Sequence, residues 1–210
     1  GQIGWFWTKA KSTAQPERAR RGSLFSVELG MTTAGHGVDV DQLGQELQNW
    51  LRNASRVVVA GVGKSLRRDD SVGFKVVEYL RGRASKSVRL LQCETVPESF
   101  LEPITEFRPS HILIIDAAMI GRSAGSAILV EVTTAIPPAV STHALPLQLF
   151  CEYLRNTIDT DIRLLAIQPE NTEFGEGLTA PVEEAARKIA DLLVRVLSHI
   201  PRVNSSYCTG

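Results

Sequence analysis

Cysteine is scarce in this chain: Cys93, Cys151 and Cys208 stand far apart among 210 residues. No C-x-x-C pair occurs, and an odd, scattered set argues against a disulfide framework and against a sulfur-ligated zinc site. Such usage points to a reducing compartment and a cytoplasmic location. The four histidines, His36, His111, His143 and His199, form no H-E-x-x-H, which excludes a zincin helix. An excess of either charge is missing too. Lys and Arg number 23 and so do Asp and Glu, so the overall balance attracts neither nucleic acid nor an anionic membrane. No apolar run approaches the roughly 20 residues that span a bilayer. With 43% hydrophobic and 22% charged residues, the chain can fill one core, and a soluble globular domain without nucleic-acid partner or membrane insertion is expected.

The amino-terminal stretch differs from the rest. Trp5-Phe6-Trp7 is followed by Lys9, Lys11, Arg18, Arg20 and Arg21 among small polar residues. A signal peptide needs an apolar core after its basic part, and none follows. Arg20-Arg21 resembles a twin-arginine signal, but the Gly- and Thr-rich stretch behind it leaves nothing to insert. Residues 1–37 are therefore expected to be a poorly ordered extension, with Met31 as the expected native start. The folded domain is expected over 38–200 and a tail over 201–210.

From Asp39 the pattern becomes helical: Val40, Leu43, Leu47, Trp50 and Leu51 recur at helical steps behind Asp39 or Asp41 as cap. Beyond Ser55, short apolar runs alternate with amphipathic segments. Strands are predicted over Arg56–Ala60, stopped by Gly61 and Gly63, and over Val88–Cys93, His111–Asp116, Ala127–Val132 and Ile162–Gln168. Helices are predicted from Asp70 to about Arg81, over Ser99–Phe107, Leu145–Asn156 and Pro181–Ile200. Near-continuous apolar strands separated by helices imply a mostly parallel sheet covered on both faces. In such sheets chemistry gathers beyond the carboxyl ends of the strands, here after Ala60, Cys93, Asp116, Val132 and Gln168.

Two nucleotide motifs fail on inspection. Gly61-x-Gly63 follows a strand, but the third glycine of G-x-G-x-x-G would fall at Leu66. Gly63-Lys64-Ser65 imitates the end of a P-loop, yet its first glycine would be Val58. No G-x-S-x-G elbow exists. Cys93 ends a strand and could act as a nucleophile with His143 as base, although cysteine in an apolar strand is more simply a small buried hydrophobe.

Three residues remain that the alternation brings to one edge: Asp70 after the first strand, Asp116 as the sole charge of I-L-I-I-D, and His143 before the Leu145–Asn156 helix. Each has a plain structural alternative. Asp70 or Asp69 could cap a helix, Asp116 could bond the Ala117-Ala118 turn, and His143 could merely begin a helix. Together they make a better case. A carboxylate ending an apolar strand needs compensation, two carboxylates in one crevice call for a proton or cation between them, and an added imidazole gives an O,O,N set suited to nickel or zinc.

The segments V-V-V-A-G-V-G-K-S-L-R-R-D-D-S-V-G (57–73), E-T-V-P-E (94–98), R-P-S-H-I-L-I-I-D-A (108–117), S-T-H-A-L-P-L (141–147), A-I-Q-P-E (166–170) and G-L-T-A-P-V (177–182) resemble the maturation endopeptidases of nickel–iron hydrogenases, nearest the hydrogenase-3-type branch. The resemblance runs from about Ser55 to Ile200. It implies a three-layer α/β/α sandwich around a mostly parallel, roughly five-stranded twisted sheet. It also implies an endopeptidase that removes the C-terminal extension of the hydrogenase large-subunit precursor after nickel insertion. Asp70, Asp116 and His143 would be its metal-contacting residues, and the nickel would be carried by the substrate, with no resident cofactor. Asp70 is the first choice of base, with Asp116 or nickel itself as alternatives, and Glu98 is a candidate for orienting substrate. Where the family usually has asparagine in G-x-G-N, this chain has Lys64, a departure that keeps a non-catalytic, metal-checking paralogue as an alternative. A Cys93/His143 hydrolase is the third.

Overall fold

The structure is a computed structural model that describes residues 37–94, 100–132 and 144–201, without the side chains of residues 144–146. The described residues all fall in one compact unit, Ala34–Gly210. The expectations for residues 1–36, the 202–210 part of the tail, Glu98 and His143 therefore lie outside the described residues.

Helix α1 (Val40–Trp50) starts where Asp39 accepts a hydrogen bond from the Gln42 amide, 3.0 Å away, the bond that makes aspartate a good N-cap. It leads into β1 (Val57–Val62), the 3-10 turn Arg68–Ser71, α2 (Val72–Leu80), β2 (Val88–Cys93), α3 (Leu101–Phe107) and β3 (His111–Ala117). Then come β4 (Ala127–Glu131), α4 (Ala144–Thr157), β5 (Asp161–Ile167) and α5 (Ala180–Leu197). The strands form one sheet in the order β2-β1-β3-β5-β4. All neighbours are parallel except β4, which runs antiparallel to β5. The expected three-layer sandwich is present.

Alternation within each strand divides the core in two. Val57 and Val59 of β1, Leu113 and Ile115 of β3, and Leu165 and Ile167 of β5 face the layer built from α1, α2 and α5. Val58, Ala60, Ile112, Ile114, Leu164 and Ala166 face the layer that holds Ile104 of α3 and Leu147, Cys151 and Leu154 of α4. Strands buried on both sides need apolar residues at every position, which is why β1 and β3 read as unbroken hydrophobic runs. Helix α5 buries Val182, Ala185, Ala186, Ile189, Leu192, Leu193 and Val196, one stripe at three- and four-residue steps.

Two expectations change. Strand β1 does not stop at Gly61 but runs to Val62. The antiparallel course of β4 pairs Ala127 with Ile167 and Glu131 with Arg163, so the carboxyl edge of the sheet meets the start of β4. Val132, expected at that edge, lies instead at the opposite one, its amide donating to the Ile162 carbonyl.

An open cavity of about 620 Å³ sits at this opposite, amino-terminal edge, lined among others by Trp50, Ser110, His111 and Asp161. It is far in topology from the candidate acids, as is His111, which packs edge-on against Trp50. Burial lowers the His111 pKa from its ordinary 6.5, outweighing the opposing pull of Asp161. A base with a depressed folded-state pKa binds its proton more readily when unfolded, so the native state is penalised in acid. His111 should leave stability unaffected above pH about 6.5 and erode it as pH falls below, toward its lowered folded value. Thermal melts of wild type and His111→Asn across pH 5–8 should converge above that point, with the wild type falling faster below it.

Candidate active site

The site begins with backbone contact. Gly61 on β1 and Gly73 in the first turn of α2 approach so closely that a Cβ on Gly61 would lie 2.1 Å from the Gly73 carbonyl oxygen. A Cβ on Gly73 would lie 2.2 Å from the Ile115 oxygen and 2.5 Å from that of Val62. No side chain fits there. The glycines that imitate a dinucleotide motif serve instead to seat the 3-10 turn and α2 directly on the carboxyl ends of β1 and β3. Gly63 completes the seat: its φ is +143°, and a Cβ would fall 1.8 Å from the Asp70 oxygen.

This seat delivers Asp70 to the edge. The residue lies in the 3-10 turn rather than opening α2, and only 3% of it is exposed. Its Oδ2 accepts from the Lys64 amide at 3.1 Å, so it fastens the β1 loop instead of capping the helix. The Lys64 side chain is exposed; the group that meets Asp70 is the backbone amide.

Asp116 is delivered by β3, between β1 and β5, where it pairs with Ala166. It is fully buried. Strand alternation puts its side chain on the face of Ile112 and Ile114, the layer shared with α4. The neighbouring Ala118 amide donates to the Ile167 carbonyl at 2.9 Å, which fastens the end of β3 to the end of β5. Helix α4 runs into β5 after three residues; its fourteen residues span about 21 Å, so its first turn lies back toward the carboxyl edge. His143, the residue before it, and Glu98 are outside the described residues. Among those described, no group of three or more His, Cys, Asp or Glu side chains is placed to hold a metal ion.

Asp69, adjacent to Asp70, has a different task that the sequence reading did not separate. It is fully buried. Its Oδ2 accepts from the Glu170 and Asn171 amides, both at 2.9 Å, and from the Thr179 hydroxyl at 2.8 Å. Its Oδ1 accepts from the Thr179 amide at 2.7 Å. One carboxylate thus ties the 3-10 turn to the whole β5–α5 connection and sits at the positive end of α5. Thr179, the N-cap of α5, makes no side-chain cap bond because its hydroxyl is committed here. Arg68, just before, is held at φ +42°, a left-handed conformation costing about 1–2 kcal/mol for a side-chain-bearing residue. Gln168 anchors the third loop of the edge: its Oε1 accepts from the Ile120 and Gly121 amides at 2.9 and 3.0 Å.

Cys93 reaches the same edge but is buried, and burial pushes its thiol up to about 12. Cys151 is raised to about 12 for the same reason. A buried thiol so raised is protonated at neutral pH and is a poor nucleophile, which weighs against a cysteine hydrolase. Treatment of the native protein with a thiol reagent at pH 7.5, followed by peptide mapping, should leave Cys93 and Cys151 unmodified until denaturant is added; rapid native labelling of Cys93 would contradict the burial.

Three loops of a doubly covered sheet, each pinned by its own buried polar side chain and bringing two acids to the carboxyl edge, have the layout of an α/β-sandwich enzyme. Comparison with known proteins specifies the class. The family model for hydrogenase maturation protease (HycI) matches residues 74–196. A Methanocaldococcus jannaschii protein described as a hydrogenase maturation protease is 34% identical over 158 residues, covering 71% of this chain and 90% of that one. The Escherichia coli hydrogenase 3 maturation protease is 26% identical over 133 residues, 63% of this chain and 85% of its own. Among solved structures, the nickel–iron hydrogenase maturation protease HycI of Thermococcus kodakarensis superposes with a TM-score of 0.67 at 30% identity, covering 73% of this chain and 99% of that one. The chain belongs to the hydrogenase maturation protease family, and its class of activity is that of a peptidase.

Proposed function

We propose that this protein removes a C-terminal extension from the large-subunit precursor of a nickel–iron hydrogenase once nickel has been inserted. It recognises the substrate-borne nickel through Asp70, Asp116 and His143. The observation that carries the reading is the delivery of two buried carboxylates, Asp70 and Asp116, by neighbouring elements to one edge of the sheet. Two acids held in common at a protein rim are matched by a cation, and a metal brought by the substrate supplies one only when the substrate is ready. His143 completes an O,O,N set with positions left for the thiolates that hold nickel in the precursor. The same contact fixes the scissile amide beside the acids, converting recognition into positioning.

Asp70 acts as base. It takes a proton from water, the resulting hydroxide adds to the amide carbonyl carbon, and the proton passes to the leaving nitrogen as the C–N bond breaks. Glu98, beyond Pro97, orients the substrate strand. No cofactor resident in the protein is required. The two buried cysteines are unbridged, in keeping with a reducing, cytoplasmic setting, and among the described residues no helix is long and apolar enough to cross a membrane. Incubating the purified protein with nickel-loaded and metal-free precursor tests the reading. A smaller large subunit should form only with nickel; binding without any size change would favour a metal-checking paralogue.

A further inference from the structure

Five large hydrophobic side chains are prominently exposed among the described residues, and three of them, Leu66, Met119 and Phe174, sit on loops at the edge that carries Asp70 and Asp116. Phe174 is 81% exposed, Met119 61% and Leu66 50%. Leu66 lies four residues before Asp70 in the loop after β1, and Met119 three residues after Asp116 in the loop after β3. Phe174 is in the β5–α5 connection. Scattered exposed hydrophobics are ordinary, whereas apolar groups gathered around one site on separate loops mark a contact surface.

Their support is as telling as their exposure. The Gly175 amide donates to the Leu66 carbonyl at 2.9 Å and the Arg68 amide to the Gly175 carbonyl at 3.0 Å, so Leu66 and Phe174 stand side by side on paired loops. The Arg67 Nε donates to the Thr172 carbonyl at 3.1 Å, and Asp69 clamps both flanks of the Phe174 loop from Glu170 and Thr179. Met119 receives the Gln168 amide on its sulfur, 3.6 Å away. Loops this strongly bonded hold their apolar residues in water at fixed positions. That arrangement lowers the ordering cost of binding a partner.

We infer that Leu66, Met119 and Phe174 form an apolar collar that docks the body of the folded large-subunit precursor, separately from the nickel contact. The inference rests on the proposed substrate. A folded protein whose metal touches Asp70 must lie over the segment that carries Leu66, and Phe174 is bonded alongside it, so the precursor is the occupant that continuity with the site selects. Apolar residues of this size at an interface centre carry a disproportionate share of the binding energy.

Steady-state processing of nickel-loaded precursor by the full-length protein separates the possibilities. Phe174→Ala should raise KM about tenfold with kcat and thermal stability unchanged, Leu66→Ala and Met119→Ala each less, and Phe174→Trp should restore the wild-type KM. Leu149→Ala/Tyr153→Ala, which removes the other exposed pair on α4, should leave KM as it is. Unchanged KM in the Phe174 and Leu66 variants, or an equal rise in the α4 double variant, would overturn the collar while leaving the proposed activity standing. A wild-type protein that processes nothing removes the activity and the collar together. A shift from dimer to monomer in Phe174→Ala, with KM unmoved, would assign the surface to a second copy of this chain instead.

Discussion

Replacing Asp116 by asparagine should reduce processing of the nickel-loaded precursor on the order of a thousandfold while leaving the fold intact. The substitution keeps the shape of a side chain that is fully buried at the end of β3, removes its charge and turns one of its two acceptor oxygens into an NH2 donor. If that charge existed for the fold, its loss would cost stability, as removing one partner of a buried polar pair does. If it exists to meet a cation brought by the substrate, activity should fall far more than stability does. Asp70→Asn should behave likewise, because the amide oxygen of asparagine can still accept from the Lys64 backbone N–H now bonded at 3.1 Å. Processing rates and thermal melts measured side by side decide the matter. Loss of activity far exceeding any loss of stability is expected for both variants, and wild-type rates in both would remove the acids from the mechanism.

Asp69→Ala should produce the largest loss of stability. Three backbone amides and a hydroxyl converge on this one buried carboxylate at 2.7–2.9 Å. Truncation would leave them unpaired inside the protein, where each orphaned donor costs about 1–3 kcal/mol before relaxation. Allowing for water entry and non-additivity, a loss of about 3–5 kcal/mol is expected, or on the order of 10 °C in melting temperature for a chain of this size. Asparagine should rescue little, because its NH2 group would face donors on one side. Denaturant titration with circular dichroism reads the effect; a change below 1 kcal/mol would show that the β5–α5 connection does not depend on the clamp.

These neighbours show where the sequence was legible and where it was not. The sheet, its helices and the stripe of α5 could be read because each follows from a period of two or of 3.6 residues that local sequence displays. The acid at the end of β3 was visible because a single charge breaks an apolar run. The task of Asp69, weighed only as a possible helix cap, was not visible, since its partners lie about a hundred residues away, at Glu170, Asn171 and Thr179. The same holds for Gln168, read only as part of a strand although it pins the loop after β3. The reversed direction of β4 was missed because its five residues carry no signal of strand direction. For the glycines a clue existed. Gly73 inside the first turn of a helix has no conformational purpose there, and with Gly61 it signals two backbones in contact.

The most direct measurement is X-ray absorption at the nickel edge of the loaded precursor, recorded alone, with wild-type protein, and with the Asp116→Asn variant. If substrate nickel is recognised by these acids, mixing with wild type adds oxygen or nitrogen neighbours to a sulfur-rich shell, and the variant adds fewer. A nickel spectrum that is identical in all three samples, from precursor that the wild type nevertheless binds and cleaves, would contradict the account.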